Sequence, residues 1–94
     1  MIMLKIEHPV PSFEQWKQAF DSDPVGRQRS GVRRYRILRP VDDPRYTIIE
    51  LEFDDFEHAQ AMLAALQQLW SRVEGSVMTN PQYRIVELVE AVSY

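Results

Sequence analysis

Residues 48–58, Ile48-Ile49-Glu50-Leu51-Glu52-Phe53-Asp54-Asp55-Phe56-Glu57-His58, change their hydrophobic period in mid-stretch. Up to Phe53, apolar and charged residues alternate, the pattern of a strand with one face buried. From Phe56 onward the apolar residues are Phe56, Ala59, Met62, Leu63, Leu66, Trp70 and Val73, which is a helical period. A strand therefore passes directly into a helix. Asp54 or Asp55 stands at the junction, where a carboxylate caps free N–H groups and meets the favourable end of the helix dipole.

That switch decides whether five carboxylates and a histidine in eleven residues form one acidic site. Ile49, Leu51 and Phe53 go to the core, while Glu50 and Glu52 go to the opposite face. Glu57 faces solvent. His58 lies about 100° around the helix from Ala59 and is a boundary residue. The polar groups scatter, so no metal site is expected here.

Working backwards, Val32–Arg39 forms a second strand, and Pro40-Val41-Asp42-Asp43-Pro44 is a turn. The two strands make a hairpin, with the later strand over Tyr46–Phe53. Its register follows from keeping the apolar set together. Ile37 faces Ile49, Tyr35 faces Leu51, and Arg33 lies beside Phe53. The other face pairs Leu38 with Ile48, Arg36 with Glu50 and Arg34 with Glu52, placing opposite charges directly across the ladder.

The N-terminal Met1–Val10 alternates as a strand and is stopped by Pro9 and Pro11. Ser12-Phe13-Glu14-Gln15 is a capping box opening a helix with Phe13, Trp16, Ala19 and Phe20 on one face. Asp23-Pro24 is expected to open a short second helical turn, ended by Gly31. Gly75 and Asn80-Pro81 mark a loop, and Tyr83 to about Val92 is a last strand. The order β-α-β-β-α-β is the ferredoxin-like α+β arrangement, a four-stranded antiparallel sheet with two helices on one face.

With 94 residues the chain is expected to form a single domain over 1–94. It has no cysteine, which excludes disulfides and thiolate chemistry. The N-terminal stretch has Lys5 and Glu7 inside it and no small-residue cleavage site, so it is not expected to act as a signal peptide. No run is long enough to span a membrane. A soluble, cytoplasmic protein without a membrane partner is expected. Between Arg27 and Arg45 lie seven arginines against Asp42 and Asp43, although the net charge is −3. The strand period of this segment and the acidic remainder argue against nucleic acid as a partner.

The outer sheet face would carry Arg34, Arg36, Glu50, Glu52, Lys5 and Glu7 together with Met3, Leu38 and Ile48. One apolar set of the last strand joins them, either Ile85 with Val89 or Val86 with Leu88. So many aliphatics are costly to leave wet. The face is expected to be a subunit interface in which these charges satisfy one another.

The Phe13-x-x-Trp16-x-x-x-Phe20 helix, the Glu52-Phe53-Asp54-Asp55-Phe56-Glu57-His58-Ala59 junction and the terminal strand resemble the dimeric α+β-barrel superfamily, which includes antibiotic-biosynthesis-monooxygenase-like proteins. The resemblance covers almost the whole chain and is architectural. It implies a homodimer with two sheets packed face to face, and a pocket in each protomer between sheet and helices. Haem-degrading members carry an Asn on the first strand, a Trp early in the second helix and a His near its end. Here the first strand offers Glu7 and His8, the early helix position is nearer Met62, and the helix end carries Trp70, Ser71 and Arg72.

His8 shares the parity of Ile2, Leu4 and Ile6 and should point to the helix side near a pocket mouth. It is the better of the two histidines for proton transfer. Tyr35 also faces the helices in this register, and Trp16, Phe20, Met62 and Trp70 could line a pocket for a flat ligand. The plainer alternatives are a backbone-bonded histidine and core packing. An enzyme acting on a hydrophobic or aromatic small molecule, monooxygenase-like or cyclase/isomerase-like, would use His8, Tyr35 and an arginine. A pocket of about 300 Å³ with both residues converging would favour it. The alternative is a non-catalytic dimeric ligand-binding or protein-interaction module. These residues predict no cofactor and leave flavin- or haem-assisted chemistry open.

Overall fold

The computed structural model describes residues 1–73 and 78–94. The elements are β1 (Ile2–Pro9), α1 (Phe13–Asp21), β2 (Arg34–Leu38), β3 (Tyr46–Phe53), α2 (Phe56–Val73) and β4 (Gln82–Glu87). The strands form one antiparallel sheet in the order β2-β3-β1-β4. The β2–β3 register is the expected one, with Tyr35 opposite Leu51, Arg36 opposite Glu50 and Arg34 opposite Glu52.

Leu4 and Ile6 of β1 and Ile49, Leu51 and Phe53 of β3 form one cluster with Trp16 of α1 and Ala59, Met62 and Trp70 of α2. Both helices therefore bury their apolar residues against the same face of the two central strands. Phe53 and Leu4 are wholly buried. Phe56, at the head of the α2 stripe, is 47% exposed instead. Helical side chains lean toward the N-terminus, and there a first-turn residue has no preceding turn to cover.

Asp55 accepts the His58 backbone N–H at 2.8 Å and so caps α2. Asp54 turns away to pair with Arg33, Oδ2 to Nη2 at 2.6 Å. At the head of α1, Ser12 Oγ accepts the N–H of Gln15 at 3.3 Å. In the hairpin turn, Asp43 Oδ1 accepts the Arg45 N–H at 3.0 Å.

Two expected elements differ. The single helical turn expected to open at Asp23-Pro24 lies later, over 26–30, where the Ser30 N–H donates to the Gly26 carbonyl at 3.0 Å; residues 24–25 only bend the chain. Asp23 sits at φ 53° and Gly26 at φ 79°, and a right-handed helix cannot pass through either value. Asp23 still accepts the Arg27 N–H at 2.8 Å, so it caps a turn. Gly31, at φ 97°, does end the segment. β4 stops at Glu87 rather than near Val92, because Ile2, opposite Glu87, is where β1 begins. One further bond, Leu88 N–H to the Met1 carbonyl at 2.9 Å, exhausts the neighbour. Asn80 turns the chain at φ 49°, and Gly75 lies outside the described residues.

Candidate functional site

Between the sheet and the helices lies a cavity of about 310 Å³. Ile6, His8, Ile49 and Leu51 form its sheet side, Trp16 and Phe20 come from α1, and Met62, Leu66 and Trp70 come from α2. The segment from Ser22 to Arg27 closes one end, and Met78 also lines it. The structure thus brings five of the sequence-picked residues, His8, Trp16, Phe20, Met62 and Trp70, to one space. The strand period aims His8 inward, and the helical period aims the others at the sheet.

His8 is 1% exposed, so it stands in the cavity wall rather than at an open mouth. Its Nδ1 lies 3.0 Å from the Pro9 carbonyl. A carbonyl can only accept, so Nδ1 carries the proton and Nε2 of the neutral ring is an acceptor. Among the described residues no hydrogen bond engages Nε2. Burial holds the His8 pKa below its ordinary value, and the Pro9 bond opposes that shift only in part. The ring is therefore neutral at physiological pH. Its edge meets Trp16, with centroids 6.0 Å apart and planes at 65°. Across the ladder from His8 stands Thr47, wholly buried, whose Oγ1 has no hydrogen-bond partner among the described residues.

Tyr35 stands outside the cavity lining and is 43% exposed. It lies on the sheet face that bears the helices, but on edge strand β2, where cover is thin. Its ring meets the edge of Phe20 at 5.0 Å. Phe20 continues the aromatic row through Trp16 at 5.2 Å to Phe13 a further 5.6 Å on. At the other side, Trp70 stacks obliquely on Tyr83 at 5.9 Å.

Arg27 was visible in the sequence only as one arginine among seven. Its guanidinium lies 3.9 Å from the Phe20 ring centroid and 5.0 Å from that of Tyr35. Nη1 donates to the Phe20 carbonyl at 2.7 Å and lies 3.6 Å from Asp23 Oδ1. A turn brings this residue to the cavity, and no period in the sequence marks a turn's inward side chains.

On the outer face, Arg34 Nε meets Glu52 Oε2 at 2.9 Å and Arg36 Nη2 meets Glu50 Oε1 at 2.6 Å. The second contact is an ion pair without hydrogen-bond alignment. Lys5 reaches Glu50 at 3.5 Å, and the Tyr46 hydroxyl donates to Glu7 at 2.7 Å. Glu50, Glu52 and Met3 are already buried here, Ile48 and Val86 are half-buried, and Leu38 is exposed. Val86 lies opposite Met3, so the Val86 set of β4 joins this face.

His58 is exposed on α2, with Nδ1 2.7 Å from Asp55 Oδ1. Hydrogen bonds from His58 hold the Asp55 carboxyl below its ordinary pKa. Among the described residues no three His, Asp or Glu side chains stand together as metal ligands. His8 is the one imidazole in the cavity wall there. No described helix is long and apolar enough to cross a membrane.

No protein-family profile matches the sequence, and no curated protein matches it. Solved structures do match in fold. SnoaB, a cofactor-independent oxygenase from Streptomyces nogalater, superposes with a TM-score of 0.78 at 11% identity, over 99% of this chain and 97% of that one. A candidate antibiotic biosynthesis monooxygenase from Deinococcus radiodurans gives 0.69 at 16% identity, over 100% of this chain and 98% of the other. An MhuD variant with two manganese protoporphyrin IX molecules per active site gives 0.69 at 17% identity, over the whole of both chains. The fold is accordingly the ferredoxin-like α+β arrangement that these structures share.

Proposed function

We propose that the chain is a homodimeric α+β-barrel protein that binds a hydrophobic or aromatic small molecule in the cavity and acts on it as a monooxygenase-like or cyclase/isomerase-like enzyme. The observation that carries this reading is the buried imidazole of His8, held in one tautomer by the Pro9 carbonyl beside an almost wholly apolar space. A neutral ring with Nε2 unengaged can accept a proton from an acidic O–H or C–H of a bound aromatic. Apolar walls strengthen that interaction by excluding water.

The resulting anion has three outlets. It takes a proton back at another atom, attacks an electrophile within the same molecule, or bonds to dioxygen as a hydroperoxide that loses water, the substrate itself supplying the electrons and ending oxidised to a ketone or quinone. The chain itself supplies base, enclosure and orientation in each, and no step calls on a cofactor. A cofactor-independent oxygenase of the same fold supports the last outlet. Tyr35 lies outside the cavity and does not converge with His8, so it takes no proton-transfer part in this reading; its ring flanks Arg27. The dimer follows from the outer face, where half-buried aliphatics surround paired charges and a second sheet would cover both.

Both tryptophans of the chain line the cavity, so their fluorescence reports its occupancy. Titration with 2-naphthol should change that emission with saturation, and His8→Leu should weaken the binding while leaving 2-methylnaphthalene unaffected. Equal binding of 2-naphthol by wild type and His8→Leu would remove His8 from the site.

A further inference from the structure

We infer that Arg27 is the polar anchor of the cavity, and that the ligand carries a carboxylate on an otherwise apolar, flat body. This inference rests on the ligand-binding reading above and names the chemistry of the cavity's second pole.

The polar lining is divided. His8 comes from β1, whereas Ser22, Asp23 and Arg27 come together from the turns after α1. Arg27 is the one cation among the described lining residues. Its side chain is 17% exposed, and the rings of Phe20 and Tyr35 flank its guanidinium. The Nη1 bond to the Phe20 carbonyl fixes the fork further. A guanidinium held in this way loses little freedom when a ligand arrives.

Arg has five N–H donors in a planar fork. Nη1 is engaged with Phe20 and faces Asp23, but among the described residues no acceptor pairs with Nε or Nη2. Asp23 is the only described carboxylate in the lining. It stands 3.6 Å from Nη1 and also takes the Arg27 backbone N–H, so its charge is shared. Nε and Nη2 remain for a planar two-oxygen acceptor, the match that makes Arg–carboxylate pairs bidentate. His8 is neutral at the other pole and adds no competing cation. The aromatic row Trp16–Phe20 between the poles suits a flat body.

The test compares three probes of one shape in the full chain by calorimetry and tryptophan emission: 2-naphthoate, its methyl ester and 2-methylnaphthalene. Wild type should bind naphthoate about tenfold to a hundredfold more tightly than either neutral probe, the range expected for a hydrogen bond to a charged group. Arg27→Gln should abolish that preference and bind 2-methylnaphthalene as wild type does. An ester bound as tightly as the acid means a neutral acceptor suffices and overturns the carboxylate assignment. Preference for the acid that survives Arg27→Gln overturns the role of Arg27, with the cavity reading intact. If no probe binds wild type, both readings fall. The acid-over-ester comparison needs no variant, so the proposal is decided even where Arg27→Gln does not fold.

Discussion

The imidazole of His8 stands edge-on to the indole of Trp16, 6.0 Å between centroids, inside the wall of an apolar cavity. Burial keeps that imidazole less basic than an ordinary histidine. The unfolded chain, with the histidine at its usual value near 6.5, then binds a proton more readily than the native state. The stability that His8 contributes by staying neutral is present above pH 6.5 and is lost as pH falls below it. Wild type should therefore lose more melting temperature than His8→Leu on going from neutral pH to about pH 5. Parallel melting curves across that window would show that His8 titrates alike in both states.

The outer face predicts the assembly state. Glu50→Arg places like charges beside Arg36 and Lys5, now 2.6 and 3.5 Å from the carboxylate. Light scattering at micromolar concentration should report a dimer for wild type and a chain of 11.1 kDa for the variant. A wild-type mass of one chain would remove the face-to-face interface.

Phe53 is wholly buried where β3 meets both helices. Phe53→Ala should cost about 3–5 kcal/mol, measured by urea unfolding with the slope unchanged. A loss under 1 kcal/mol would mean that the core collapses into the space.

Gly31 combines φ 97° with a close neighbour, since a Cβ there would stand 2.9 Å from His58 Cδ2. Gly31→Ala should destabilise by about 1 kcal/mol or more. His58 is an exposed side chain that can swing away, so adding His58→Ala should recover only a small part. Full recovery would assign the effect to the contact rather than to the backbone.

Ser12→Ala should lower stability by about 1 kcal/mol, because the Gln15 N–H loses its acceptor at the head of α1. Ser12→Asp should preserve it. Chemical denaturation of the three proteins distinguishes a cap from a passive surface serine.

Residues 48–58 show how far local pattern reached. A period of two followed by 3.6 separates Glu50 and Glu52 from Asp54 and Asp55 whatever surrounds them, because side-chain direction follows from backbone geometry alone. The β2–β3 register was legible for the same reason: a one-residue slip would reverse every side chain between the two faces. The inward aim of His8 and the shared space of Trp16, Phe20, Met62 and Trp70 also follow from period and element order. Tertiary structure decided the rest. Two left-handed residues bend the segment after α1, and only that bend carries Arg27 to the cavity. The end of β1 decides where β4 stops. The edge position of β2 leaves Tyr35 half covered, although its parity is right. Each of these depends on what another part of the chain presents across space, and a one-dimensional period holds no term for that.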